Sequence, residues 1–454
     1  MAAKYDLLFK NGVVVNGSGM KRADVAVKGQ KFALIADDIP AEDAKRVVDA
    51  KNKYLFPGVI DVHIHPVYLD DVEGSSRVAA YGGTTTVMHF AYARKGEGLL
   101  DQVSKMLEDG SKRSLLDFSL HGGVWEADKQ LADLPAVMKL GVRTFKFFLT
   151  YLKQGWNTDD YQLIRAMDML AELGGMAMVH AENGGGVDYL EDKYLKGPKA
   201  SAKFFNASRP PAFEEEAIYR SMLLAETMGC PLYIPHVTSE RALRPLKMAK
   251  EMGLPVFAET CPQYLTLTEK IIEERGSLAK IGPPIRSQTD QDALWEALAT
   301  GVLSIVASDH APKAKNPKAD FLSEGFGAPQ AESLLPVTYD WGINKGKISL
   351  VRLAQVLSEN PARIFGLYPK KGTIEVGSDA DLCVYDPNRA YTITAENQHS
   401  AVGYTLFDGR KVLGWPEMTI QRGKPVLENG EVVAKVGAGE FLPNFKNHLP
   451  PVMP

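Results

Sequence analysis

Between residues 59 and 311 the chain repeats one alternation, a short apolar run followed by a longer amphipathic stretch. The apolar runs are VIDVHIH (59–65), TTTVMHF (84–90), DFSLHGGV (117–124), TFKFFLTY (144–151), MAMVHAEN (176–183), PLYIPHVT (231–238), PVFAETCP (255–262) and VLSIVASDHA (302–311). Their length and composition read as strands. Segments between them, such as DDYQLIRAMDMLAELG and FEEEAIYRSMLLAETMG, have helical spacing and end on glycine. Parallel strands need helix-length crossovers, so eight such units over about 250 residues predict a closed (β/α)8 TIM barrel. An open doubly wound sheet would normally have fewer strands and a Gly-rich phosphate turn.

Both ends of the chain read differently. YDLLFKNGVVVNGSG and ADVAVKGQKFALIA near the start, and GTIEVGSDADLCVYDP (372–387) and TIQRGKPVLENGEVV (419–433) near the end, alternate short β-rich runs with turns. They predict a small β-sandwich domain formed from both chain ends, residues 1–56 and 371–435, around a barrel at 57–370. A Pro-rich C-terminal tail follows at 436–454. The charge balance, −4 over 454 residues, gives no reason to expect nucleic acid or an anionic membrane as partner. No apolar run approaches the ~20 residues of a membrane span, and MAAKYDLLFKNG lacks the features of a secretory signal. Cys230, Cys261 and Cys383 are widely spaced with no CxxC pair. A soluble protein of the reducing cytoplasm is therefore expected.

Polar residues within the apolar runs carry the chemistry. Asp61, His63 and His65 alternate along the first run, so they share one face of a strand. Buried there, they need either a hydrogen-bonded core cluster or a bound metal. The later runs weight the choice toward metal, because Lys146, His180, His236 and Asp309 occupy equivalent strand ends, and in a barrel those ends converge on one mouth. Imidazole and carboxylate donors without thiolate suit a catalytic divalent ion, zinc first, with Mn²⁺, Co²⁺ or Ni²⁺ also accepted. Lys146 sits within TFKFF, where burial lowers its pKa and makes the amine nucleophilic toward CO₂. A carbamate formed that way could bridge two metals; an ion pair across the barrel is the alternative.

PGVIDVHIH, Lys146, VHAENG (179–184), IPHVTS (234–239) and ASDHAP (307–312) resemble the amidohydrolase superfamily. GGTTTV (82–87), SRPP (208–211), AETCPQYL (258–265), GPPIR (282–286) and ENPARIFGLYPKKGTIEVGSDADLCVYDP (359–387) extend the resemblance over nearly the whole chain. It is strongest to the cyclic-amide branch, and within it to dihydropyrimidinases and hydantoinases, through FLTYLKQGWNTDD (148–160). The resemblance implies a binuclear centre, with His63, His65 and Asp309 on one ion, His180 and His236 on the other, and carbamylated Lys146 between them. A hydroxide shared by the metals would attack the ring amide, Asp309 would move its proton, and Tyr151 would stabilise the oxyanion. The ring-binding Ser-Pro-Pro turn of the family is Gly282-Pro283-Pro284 here, and Phe326 falls near a second, usually Asn, substrate contact. No arginine follows the HxH pair, which disfavours dihydroorotate.

Tyr68, Leu69, Tyr92, Leu152 and Trp156 are expected either to accept an apolar or aromatic substituent of the ring or to serve as packing or subunit contact. His89, His121, His310, His399 and His448 are read as structural or exposed, with His121 also a possible support for a metal ligand. The resemblance implies a homotetramer in which the tail packs on a neighbouring subunit. The implied substrate is a small cyclic amide, with allantoin or a cyclic imide as alternative rings. Non-catalytic scaffold relatives lack the metal ligands, whereas all six ligand positions are filled in this chain.

Overall fold

The computed structural model describes residues 3–317, 319 and 321–444. His448 and residues 445–454 of the predicted tail lie outside the described residues. Eight parallel strands follow one another in chain order: Val59–Ile64, Thr84–Ala93, Asp117–Val124, Thr144–Phe148, Met176–His180, Leu232–Ile234, Val256–Thr260 and Ile305–Val306. The eighth is only two residues long, yet the sheet closes. Ile64 pairs in parallel with His310; the His65 N–H donates to the His310 carbonyl at 2.9 Å, and the His310 N–H donates to the His63 carbonyl at 3.1 Å.

The crossover helices end where their sequences dictate. The helix Asp160–Leu173 starts on a capping box, in which the Asp159 side chain accepts from the Gln162 N–H, and it stops at Gly174 in the left-handed conformation. Phe90, Met178, Tyr233, Phe257 and Phe365 fill one buried cluster. These side chains form an apolar floor beneath the C-terminal mouth of the barrel.

A nine-stranded sheet joins the two chain ends. Its join is the antiparallel pairing of Leu382–Thr392 with Tyr54–Pro57, which places Leu382 opposite Pro57 and Val384 opposite Leu55. Phe9, Val25, Leu55, Leu382 and Ile420, drawn from both ends, share its core. Residues 372–381 are loop rather than strand, and a strand that the turn signals conceal runs through Lys411–Gln421. Gly414 and Pro416 read as breaks, but here they sit beside a register shift that tolerates them. Among the described residues no helix is long and apolar enough to cross a membrane.

Buried ion pairs fasten this sheet to the barrel. The Lys371 ammonium reaches Asp381 at 2.7 Å and Asp379 at 2.9 Å, and it also bonds Asp117 at the start of the third barrel strand. Residues 439–444 run back along the same strand: the Phe118 N–H donates to the Glu440 carbonyl at 2.9 Å, and the Leu442 N–H to the Phe118 carbonyl at 2.7 Å. This described part of the tail is thus held by its own barrel. Replacing Lys371 by Met would leave Asp381 buried without an ion-pair partner among the described residues, and Asp379 and Asp117 to Lys31 and Arg422 respectively. Urea denaturation of that variant should show a loss of about 3–5 kcal/mol.

Candidate metal centre and active site

The strand ends deliver the polar residues to one place. His63 is the fifth residue of the first barrel strand, and His65 follows that strand directly. Asp309 turns back toward them, its Oδ1 lying 3.2 Å from His63 Nε2 and 3.1 Å from His65 Nε2. One ligand atom from each of the three falls within 4.8 Å of the others. On the facing wall the His180 and His236 rings stand 4.5 Å apart, with His236 5.5 Å from His63. Three residues here have left-handed backbone: Tyr151 (φ 65), His236 (φ 43) and Asp309 (φ 54). Such conformations are costly for residues with a Cβ, and they end the strands early. The reading of 231–238 and 302–311 as strand through to these residues is corrected accordingly: the strand gives way to a turn that aims the side chain.

A second layer orients the first. His63 Nδ1 bonds the Glu259 carboxylate, which also takes the Tyr233 hydroxyl at 2.5 Å and the His236 N–H at 3.2 Å. The Tyr92 hydroxyl bonds His65 Nδ1 at 2.9 Å. His180 Nε2 bonds Glu182 at 2.7 Å, and the buried Arg209 guanidinium donates to the same carboxylate at 2.7 Å. One nitrogen of each of these three imidazoles is thereby committed, leaving the other as donor. Sequence pattern shows nothing of Glu259, whose partner His63 lies on another strand, or of Arg209, which reaches Glu182 from a later turn.

Electrostatics follow from burial. His63, His65 and His236 are held well below the usual imidazole range, first by loss of water. Burial lowers Lys146 to about 8 against the attraction of Asp309 and Glu259. Its ammonium has no ion-pair partner among the described residues and lies 5.4 Å and 5.6 Å from the Phe90 and Phe148 ring centroids. Neutral imidazoles, a carboxylate, an unpaired amine and the orphaned buried His63 Nε2 make a donor set that fits a divalent metal. Asp61 is not part of that set: its Oδ1 accepts the Ser308 and His63 N–H groups, and burial raises it to about 6.

A cavity of about 690 Å³ opens above these residues. Tyr151, Gly282 and Phe326 line one side; a Cβ on Gly282 would meet Phe326 at 2.9 Å and the Tyr151 hydroxyl at 3.2 Å, so glycine is what the neighbours allow. Tyr68, Tyr92 and Trp156 line the cavity as expected. Leu69 and Leu152 do not; their loops turn both side chains outward, 52% and 40% exposed. Trp125, unmarked in the sequence reading, stacks on Trp156 at 4.2 Å. His121 bonds Thr144 and the Val62 carbonyl below the centre, and His399 stacks on Tyr81, so both serve packing.

Burial alone would raise Glu182, but the Arg209 charge and the His180 bond hold it at about 2. A carboxylate depressed on folding stabilises the fold above its ordinary value, and that contribution drains as pH falls toward the folded value. Urea midpoints should therefore drop more steeply between pH 5 and pH 2.5 for the native chain than for Glu182→Gln.

The amidohydrolase family model matches residues 54–426. A D-hydantoinase of Ralstonia pickettii is 37% identical over 459 residues, covering 97% of this chain and 99% of its own. An L-hydantoinase of Paenarthrobacter aurescens is 34% identical, covering 96% and 98%. The crystal structure of a dihydropyrimidinase from Brevibacillus agri NCHU1002 superposes with a TM-score of 0.90 at 35% identity, covering 96% and 98%. Matched in this way along nearly its whole length, the chain belongs to the amidohydrolase family.

Proposed function

We propose that the protein is a metal-dependent hydrolase that opens dihydropyrimidine or 5-substituted hydantoin rings to N-carbamoyl amino acids. The observation that carries this reading is the convergence of His63, His65 and Asp309 within 4.8 Å, in a cavity also lined by Lys146, His180 and His236. Relatives named hydantoinase and dihydropyrimidinase support the ring-opening activity and favour neither allantoin nor a cyclic imide. His63, His65 and Asp309 would hold one divalent ion and His180 and His236 a second, with zinc first among the metals this donor set accepts. Metals bound there supply Lewis acidity and a hydrolytic water ionised near neutral pH.

The remaining steps belong to the chain's own residues. Lys146, with a pKa lowered to about 8, holds a far larger fraction of neutral amine near neutral pH than an ordinary lysine, which supports carbamylation by CO₂ and a bridging role. Asp309 is the carboxylate placed to take the proton of the attacking water and return it to the leaving ring nitrogen. Burial keeps the Tyr151 phenol protonated, so it can donate to the oxyanion as the carbonyl becomes tetrahedral. Main-chain groups at Gly282 would hold the ring edge, with Phe326 packed beside them. Burial of Cys230, Cys261 and Cys383 as free thiols supports a cytoplasmic setting. A homotetramer is the assembly the family resemblance implies.

Metal-loaded protein offered dihydrouracil, 5-phenylhydantoin, allantoin and dihydroorotate in parallel should open the first two; silence on both would overturn the assignment. Lys146→Ala should lose bridging and activity and recover part of its turnover when a short carboxylic acid replaces the carbamate. Unchanged metal content and turnover in that variant would remove Lys146 from the centre.

A further inference from the structure

The cavity extends past the metal-facing residues to a wall built from the loops after the first, second and eighth barrel strands, where Tyr68, Arg94 and Lys313 line it. The Lys313 ammonium lies 4.7 Å from the centroid of the Tyr68 ring, and that ring is 6.3 Å from His65. Lys313 is half-buried, and neither its ammonium nor the Arg94 guanidinium has an ion-pair partner among the described residues. The cavity-lining carboxylates are two: Asp309, which belongs to the metal centre, and Glu97, whose Oε2 accepts the Arg94 main-chain N–H at 2.8 Å. Outside the metal centre the wall thus carries two cations, half-buried Lys313 and exposed Arg94, against the single carboxylate of Glu97 beside Arg94.

A cation drawn partly out of water without a counter-charge is unfavourable, and an anion entering the cavity offsets that cost. Burial already lowers the Lys313 pKa, the mark of an uncompensated ammonium. Tyr151 and Gly282, which hold the ring in the reading above, lie on other loops than Tyr68, Arg94 and Lys313, while Phe326 shares the loop after the eighth strand with Lys313, whose side chain runs beside Gly325. A ring seated against Tyr151 and Gly282 with Phe326 beside it has the Lys313 ammonium and the Tyr68 ring on the neighbouring wall for its substituent. On the strength of that reading, we infer that Lys313, assisted by Arg94, selects cyclic amides whose ring substituent ends in a carboxylate. The aromatic faces of Tyr68 and Tyr92 pack the short stem between ring and charge.

The test compares hydantoin-5-acetic acid with its neutral primary amide, a near-isostere, on one preparation of metal-loaded protein. A charge-assisted pair predicts a kcat/KM ratio of about tenfold or more in favour of the acid, shrinking as salt is added. Lys313→Met should bring the ratio close to one, Arg94→Gln should lower it less, and Lys313→Arg should retain most of it. A general loss of activity cancels from the ratio. Equal rates for acid and amide in the native chain, or an unchanged ratio in Lys313→Met, would overturn the inference. Dihydrouracil, run alongside, reports on ring opening itself. If neither it nor 5-phenylhydantoin is opened, the ring-opening assignment fails, and quenching of the stacked Trp125–Trp156 pair by the acid against the amide decides the wall separately. Tighter quenching by the acid supports a carboxylate site, and equal quenching refutes it.

Discussion

Everything at the mouth of the barrel depends on one seam. His65 and Asp309 are 244 residues apart in sequence, and they meet because the first strand closes on the segment after the eighth. A two-residue strand offers too short a ladder for that closure, so side chains complete it. Asp61 accepts the Ser308 N–H at 3.1 Å, the Ser308 hydroxyl reaches the His63 carbonyl, and His310 Nε2 bonds Asp70 at 3.0 Å. His310 Nδ1 accepts the Gln330 and Ala331 N–H groups, drawing in the following loop. Of the three alternating polar residues in the first apolar run, Asp61 therefore holds the barrel shut, while the His63 and His65 rings face the cavity.

The seam also explains where conformational cost is concentrated. The Tyr151, His236 and Asp309 backbones are left-handed, each two or three residues past the end of its strand. A rigid sheet can hold such turns because its core does not yield: Phe90 packs against both His63 and His65, at 4.9 Å and 4.8 Å. Glu259 acts on two of the candidate ligands at once, through the His63 ring and the His236 backbone. Orientation is thereby fixed before any ion arrives.

Much of this was legible in the chain and some was not, for physical reasons. Two-residue spacing exposed His63 and His65, and an amine inside TFKFF exposed Lys146, since each breaks an otherwise apolar local pattern. His236 and Asp309 could be located, but their left-handed turns could not, because neither is a glycine. The contribution of Glu259 rests on a pairing 196 residues distant, and that of Arg209 on a carboxylate 27 residues away, separations at which periodicity carries no signal. For Leu69 and Leu152 the sequence leaves cavity lining and packing or subunit contact equally open, because loop residues lack a face; only the path of the loop decides which way they point. Gly414 and Pro416 concealed a strand for the opposite reason, a bulge making room for residues that usually end one.

The nine-stranded sheet has a bearing on how the chain reaches this state. Tyr54–Pro57 has its antiparallel partner in Leu382–Thr392, more than 300 residues later, with the whole barrel between. During synthesis the N-terminal strands emerge long before that partner exists, so one edge stays open while the barrel is being made. The sheet can finish only when nearly all of the chain is present, and the buried Lys371 cluster then locks the finished sheet to the third barrel strand. The β domain thus acts as a clasp: a chain cut short before residue 382 could form many of its βα units and still be left with an unpaired, sticky edge at Tyr54–Pro57.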